Sequence, residues 1–358
     1  MIKPIAFYLP QYHPIPENDE WWGKGFTEWT NVTKAKPLFK GHWQPRLPAD
    51  LGFYDLRVEA SRIAQAELAK AYGIYGFAYW HYWFGNGKQL LERPIEDVVA
   101  SSKPDFPFCL AWANETWSGT WHGLSNNKIL IEQQYPGEVD FYDHFYKILP
   151  VLKDPRYIKV NGKCLFIIYR VNKVPDLKSF TSVWRKLAED NGLSGFHFVA
   201  CHENDDTLIA KGINAFIQKP PSLDLLVSPF NIFEKIISKI TQKIFCSSKK
   251  VLRRVDFSAY VKNYPQYKLK KNEYPLIFPD WDNSPRTGYD GWMFTDSTPK
   301  LFGELVKKAR FEISKQEDNP EKILIIKSWN EWAEGNYLEP DKKFGISYLS
   351  EFSRALND

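Results

Sequence analysis

The stretch I-A-F-Y-L-P-Q-Y-H-P, residues 5–14, decides between two folds. An apolar run that opens a chain of alternating strand and helix patterns belongs to a doubly wound sheet or to a (β/α)8 barrel. The doubly wound sheet places a glycine-rich turn, G-x-G-x-x-G, directly after this strand. Here the strand at 5–9 runs into P-Q-Y-H-P. The expected fold class is therefore α/β, a (β/α)8 TIM barrel with long βα loops.

Outward from that strand, further short apolar runs occur at 74–82, 108–113, 164–169, 196–201, 215–218, 276–278 and 323–326, eight strands in all. Helical patterns follow most of them, at 55–72, near 89–101, and at 139–152, 177–191, 206–211, 299–315 and 346–356. The chain has 358 residues and 44% hydrophobic content, which suits one large domain over residues 1–358.

Aromatic residues make up 16%, with 14 Trp and 19 Tyr. Such rings serve either as core or as flat faces on which sugars stack. A net charge of +4 is too small to imply nucleic acid. The four cysteines, Cys109, Cys164, Cys201 and Cys246, have no C-x-x-C spacing, so neither a disulfide framework nor a zinc site is expected. The histidines show no ligand spacing either, and no metal or cofactor is expected. The first residues show no signal-peptide pattern and no run spans a membrane. With Met1 as the native start, a cytoplasmic monomer is expected.

In a barrel of this kind, chemistry gathers where strands end and loops begin. Polar and aromatic residues collect at those places in this sequence. After the first strand come Tyr8, Gln11, Tyr12 and His13, then a loop with Glu28 and Trp29. The second ends in Trp80, His81 and Tyr82; the third in Trp112, Asn114 and Glu115. His202 follows the fifth. The seventh ends in D-W-D-N-S-P-R with Asp280, Trp281, Asp282 and Arg286, read as sugar-hydroxyl ligands and a loop-locking arginine. The eighth ends in Trp329, Asn330, Glu331, Trp332, Glu334 and Glu339. His197, inside a strand, reads as a core histidine.

Glu331 and Glu334 stand three residues apart, which on a regular strand puts them on opposite faces. They converge only if the strand has ended, and Gly335 and Pro340 support a tight loop there. Two carboxyls in one aromatic cleft have separated pKa values, one serving as base and one as acid. Making or breaking a glycosidic bond requires that division. Glu115, in a second Asn-Glu pair, is a candidate partner for Glu331 in a conventional retaining pair.

The chain resembles the WbsX-type proteins of bacterial polysaccharide gene clusters. The carriers are A-F-Y-L-P-Q-Y-H-P (6–14), G-F-T-E-W (25–29), G-F-A-Y-W-H-Y-W-F (76–84), L-A-W-A-N-E-T-W (110–117), F-P-D-W-D-N-S-P-R (278–286) and W-N-E-W-A-E-G-N-Y-L-E-P (329–340). The last motif is also similar to that of glycoside hydrolase family 99, the endo-α-mannosidases. That resemblance implies a retaining barrel enzyme acting on an α-linked, mannose-like polysaccharide. It implies that Glu331 deprotonates the substrate 2-hydroxyl, giving a 1,2-anhydro sugar, and that Glu334 is the acid/base. Family 99 has His where this chain has Ala333.

Residues 231–273 carry eleven Lys or Arg against three Asp or Glu. Ile232, Phe233, Ile236, Ile237, Ile240, Ile244 and Phe245 form a helical stripe beside Lys235, Lys239 and Lys243. This basic helical insertion suits packing on the barrel, peripheral contact with an anionic membrane, or recognition of an acidic polysaccharide. Three functions are carried forward: a glycoside hydrolase or transglycosidase, a glycosyltransferase of surface polysaccharide biosynthesis, and a non-catalytic glycan-binding barrel.

Overall fold

The computed structural model describes residues 1–119, 128–201, 203–220, 251–265, 267–316 and 321–358. The apolar stripe of 232–245 and His202 lie outside the described residues.

Nine strand segments build the central sheet: β1 Lys3–Tyr8, β2 Gly76–Trp83, β3 Phe108–Trp112, β4 Lys163–Ile168, β5 Phe196–Ala200, β6 Ala215–Ile217, β7 Glu273–Tyr274, β8 Leu276–Ile277 and β9 Ile323–Ile326. They pair in parallel in the order β7-β6-β5-β4-β3-β2-β1-β9-β8. The two ends of this order are successive in sequence, separated by Pro275 alone. Proline has no N–H to donate, and the ladder changes partners there. β7 pairs with β6, β8 pairs with β9, and the Pro275 carbonyl accepts the Ile325 N–H at 2.9 Å. The strand expected at 276–278 is thus half of a divided stave through which the chain itself completes the ring.

The staves are apolar on both faces, as a sheet covered by helices requires. All eight residues of β2 are buried, as are Cys164 to Ile168 of β4. Gly76 opens β2 because a Cβ there would stand 2.6 Å from the Pro107 carbonyl oxygen. The helices bury one stripe each against the sheet. Helix Pro299–Ser314 starts at Thr298, whose side chain accepts from Leu301 N, with Pro299 in the first turn, where its missing N–H costs nothing. It buries Phe302, Leu305, Val306, Ala309 and Ile313, at helical spacing.

The helix expected near 89–101 begins only at Arg93. Gln89–Leu90 instead pairs antiparallel with Tyr82 and Trp83, because the chain turns back on the long end of β2 before Leu91 takes a positive φ. The described part of the basic segment is fastened to the barrel. Strand Arg253–Asp256 pairs in parallel with Trp292–Thr295, and helix Phe257–Lys262 follows, capped by Asp256.

Candidate active site

β9 ends at Ile326, and the chain crosses the mouth of the barrel as Lys327 to Glu339. Asn330–Glu331 pairs with Asn336–Tyr337, and Trp332–Glu334 makes one 3-10 turn between them. That turn breaks the two-residue alternation and sends Glu331 and Glu334 to the same side. Gly335 closes it at φ +59°. A Cβ at that position would stand 2.8 Å from the Asp282 amide nitrogen, so the glycine is needed for space as well as for conformation.

Both carboxylates line a cleft of about 790 Å³, together with Leu9, Gln11, Trp80, Tyr82, Ala113, Glu115, Trp117, Tyr169, Arg286 and Lys327. Arg286 sits at its centre. It donates to Glu28 Oε1 at 2.7 Å, to Glu334 Oε1 at 2.7 Å and to Glu331 Oε2 at 3.2 Å. Lys327 Nζ lies 3.5 Å from Glu334 Oε2 and 4.8 Å from the centre of the Trp281 ring. Trp80 Nε1 donates to Glu331 Oε1 at 3.1 Å. Glu115 accepts from Arg170 Nε at 2.6 Å on the opposite wall.

The two glutamates differ in charge state for a physical reason. Burial, with Glu334 beside it, pushes Glu331 up to about 7. Burial acts in the same direction on Glu334, but Lys327 and Arg286 overcome it and hold that carboxyl below its usual range. On the acid side of neutral the pair therefore keeps a proton on Glu331 while Glu334 is ionised. The resemblance to family 99 implies the opposite starting order, with Glu331 as the base. The site disagrees because both cations lie nearer to Glu334.

Gln11, Trp80, Tyr82, Glu115, Arg286, Glu331 and Glu334 are the sequence-derived residues that line the cleft. Others stand behind it. Tyr8, His81 and Trp112 were expected at the mouth, but the strand pleat turns them to the helix side. The Tyr8 hydroxyl donates to Gln65, His81 Nε2 meets His144 Nε2 at 2.7 Å, and Trp112 Nε1 donates to the Trp83 carbonyl. Asn114 brackets Arg170, accepting its N–H and donating to its carbonyl oxygen. Tyr12 donates to the Asn330 carbonyl, His13 bonds the Pro10 carbonyl, and Trp29 donates to the Tyr54 carbonyl. Trp329 is fully buried against Phe77. Asn330 exchanges hydrogen bonds with the backbone of Leu9. Trp332 Nε1 donates to Glu339, which also accepts from Tyr54 and Gln65 and is pushed up to about 7 by burial.

Asp280 and Asp282 were read as ligands for sugar hydroxyls. Both are instead engaged by the loop after β1: Arg46 donates to Asp280, and His42 and Gln44 hold Asp282. Trp281 stacks on Trp292 at 5.0 Å. His197 bonds the Tyr274 hydroxyl at 2.9 Å. Sequence reading passed over Lys327 and Tyr169, although each is the first residue after a strand. His42, Gln44 and Arg46 carry no local signal, since their partners lie some 235 residues away. Among the described residues no group of three or more His, Cys, Asp or Glu could hold a metal ion, and no helix is long and apolar enough to cross a membrane.

The parallel barrel has likenesses among solved structures. A solved glycoside hydrolase-like protein superimposes with TM-score 0.61 at 12% identity, over 99% of this chain and 94% of that one. The GH99 endo-alpha-mannosidase from Bacteroides thetaiotaomicron superimposes with TM-score 0.56 at 14% identity, over 100% and 97%. These are likenesses of fold. The chain belongs to the family described as Glycosyltransferase WbsX, which it matches over residues 4–352. Two proteins named WxcX, from strains of Xanthomonas campestris pv. campestris, are 36% and 37% identical over 98% of this chain. The match covers 49% of each, so the chain spans about half the length of these curated relatives.

Proposed function

We propose that the chain is a carbohydrate-active enzyme that breaks or transfers glycosidic bonds in an α-linked, mannose-like bacterial polysaccharide, with Glu331 and Glu334 as its proton-transfer pair. One observation carries this reading. Two buried carboxyls of opposite titration face one cleft, bridged by Arg286 and flanked by Trp80, Tyr82, Trp117 and Tyr169. Rings of that kind fit the C–H faces of a sugar, and a split carboxyl pair fits general acid/base work.

In the first step Glu331 takes the proton of the substrate 2-hydroxyl. That oxygen bonds to C1, the C1–oxygen bond to the leaving group breaks, and Glu334 gives its proton to the departing oxygen. In the second step Glu334 takes a proton from water or from an acceptor hydroxyl. The new oxygen bonds to C1, the anhydro ring opens, and Glu331 returns its proton to the 2-oxygen. For this sequence the shared proton must pass from Glu331 to Glu334 when the 2-hydroxyl docks. The titration order of the free site favours a second reading, in which Glu331 is the acid and Glu334 the base.

One experiment separates the two. A good leaving group needs no protonation, so the variant of the acid recovers its first step on an activated substrate, whereas the variant of the base does not. With Glu334 as the acid, Glu334→Gln is rescued and Glu331→Gln stays down by about 10²–10⁴-fold. Rescue of Glu331→Gln instead reverses the roles. If a 2-fluoro sugar leaves a stable adduct on Glu115 in intact-protein mass spectrometry, the anhydro-sugar route is wrong. Glycan extension that occurs only with added sugar nucleotide would establish transfer from a nucleotide donor in its place.

A further inference from the structure

The loop 279–282 has a second face. Behind Asp280, away from the cleft, lies an open cavity of about 960 Å³, lined by the loop after β1, strand Arg253–Asp256, the segment after Met293, and Lys343 with Phe344. Four cations reach it: Lys40, Arg46, Arg254 and Lys343. Among the described residues its acids are Asp280, which Arg46 engages at 2.7 Å, and the exposed Asp296, with Asp282 3.7 Å from the same guanidinium. Arg254 is almost wholly buried, with its guanidinium 4.4 Å from the centre of the Phe39 ring. Lys343 Nζ stands 4.7 Å from the Trp43 ring centre and Arg46 5.0 Å from it. Arg46 Nε is buried with no hydrogen-bond partner among the described residues.

We propose that this cavity binds an acidic sugar residue, one that carries a carboxylate or a phosphate. The exposed ammonium groups of Lys40 and Lys343 at the rim of a concave, aromatic-walled space attract an anion, and a guanidinium fork in its wall suits either oxyanion. The apolar flank of Phe39, Phe344 and Met293 accommodates a sugar ring better than an inorganic ion needs. Hydrogen bonds tie the site to the turn that carries the glutamates. His42 bonds Asp282, the Asp282 N–H donates to the Glu334 carbonyl at 2.6 Å, and Arg46 Nη1 donates to the Gly335 carbonyl at 3.2 Å. A charged branch of the same glycan would thus be gripped behind loop 279–282, which hydrogen-bonds the turn that carries the glutamates. The choice of a sugar as ligand rests on the function proposed above; the anion site itself does not.

The test reads binding without turnover. Ligand-observed NMR and calorimetry on the intact chain compare glucuronic acid, glucose 6-phosphate, glucose and uridine diphosphate. At least one acidic sugar is expected to bind and glucose not to compete with it. Affinity should fall severalfold as salt rises from about 0.05 to 0.3 M. Preference for glucuronate or for the sugar phosphate tells which oxyanion is native. Lys40→Glu/Lys343→Glu, on the exposed rim, should weaken binding about tenfold or more with an unchanged melting temperature. Arg254→Gln should do the same, but it can also unfold the strand, so the rim pair decides. Unchanged affinity in the rim variant overturns the proposal. So does uridine diphosphate binding more than tenfold tighter than both sugars, which would make the cavity a nucleotide site. The same titration on Glu331→Gln should give wild-type affinity. A changed affinity there, in either direction, would place the anion in the cleft and overturn the proposal, whatever becomes of the catalytic reading.

Discussion

Arg286 is the residue on which the mouth of the barrel depends. One guanidinium serves three buried carboxyl groups, from Glu28, Glu331 and Glu334. Removing one partner of a buried ionic group leaves the others uncompensated, at about 3–5 kcal/mol. Arg286→Ala should therefore lower unfolding free energy by that order in denaturant titration near pH 7. The loss should shrink toward pH 4, where the carboxyls can neutralise themselves by protonation. An equal loss at both pH values would mean that the arginine acts through packing alone. The sequence showed the arginine and marked it as a lock, but not what it locks, because Glu28 lies 258 positions away. The same limit applies to Asp280 and Asp282. Acids at a strand end look like ligands until the loop that neutralises them is in place.

At the scale of the element, the strands were legible and their facing was only partly so. Apolar runs and strand ends located the mouth. In β2, however, Trp80 and Tyr82 line the cleft while His81 and Trp83 reach the helix layer. A strand buried on both faces has no polar side to mark its orientation, so W-H-Y-W could not be sorted by pattern. The division at Pro275 was hidden for a related reason: the apolar run 276–278 reads as a whole strand, and Glu273–Tyr274 before the proline carries no apolar run to mark the other half. The turn at 332–334 was the opposite case. Two glutamates at i and i+3, followed by glycine, required a break, and one is present. Gly335→Ala tests its importance. At φ +59° and with Asp282 at 2.8 Å, the added methyl should cost about 1–3 kcal/mol and displace Glu334. Activity should drop more than tenfold while the melting temperature falls by several degrees. Full activity would show that the loop relaxes without moving its acid.

For the whole molecule, stability should fall as pH rises through neutrality. Glu331 and Glu339 are pushed up to about 7, and Asp280 to about 6, chiefly by burial. The folded chain thus holds protons that the unfolded chain has released, and each group's contribution is complete below about pH 4 and lost as pH climbs to 6–7. Each contributes at most about 1.4 kcal/mol per pH unit across its window. Glu334 acts in the other direction, its contribution being lost as pH falls below the ordinary carboxylate range. Melting temperature should therefore peak on the acid side of neutral. Glu331→Gln should flatten the decline between about pH 5 and 7. A wild-type curve that rises to pH 8 would contradict this balance.

The junction of first and last strands carries a consequence for how the chain acquires activity. β1 pairs with β9 across some 320 residues. Just beyond it the Trp329 N–H donates to the Phe7 carbonyl at 2.8 Å, and Asn330 clasps Leu9. The glutamates thus hang from a seam whose two edges are synthesised some 320 residues apart. Contacts so distant in sequence form late. A nascent or partly refolded barrel would have most of its staves while the proposed proton-transfer pair was still unformed. In refolding from denaturant, far-UV ellipticity should return first and glycan cleavage only with a slower final phase. Any open, edge-exposed intermediate would then be catalytically silent.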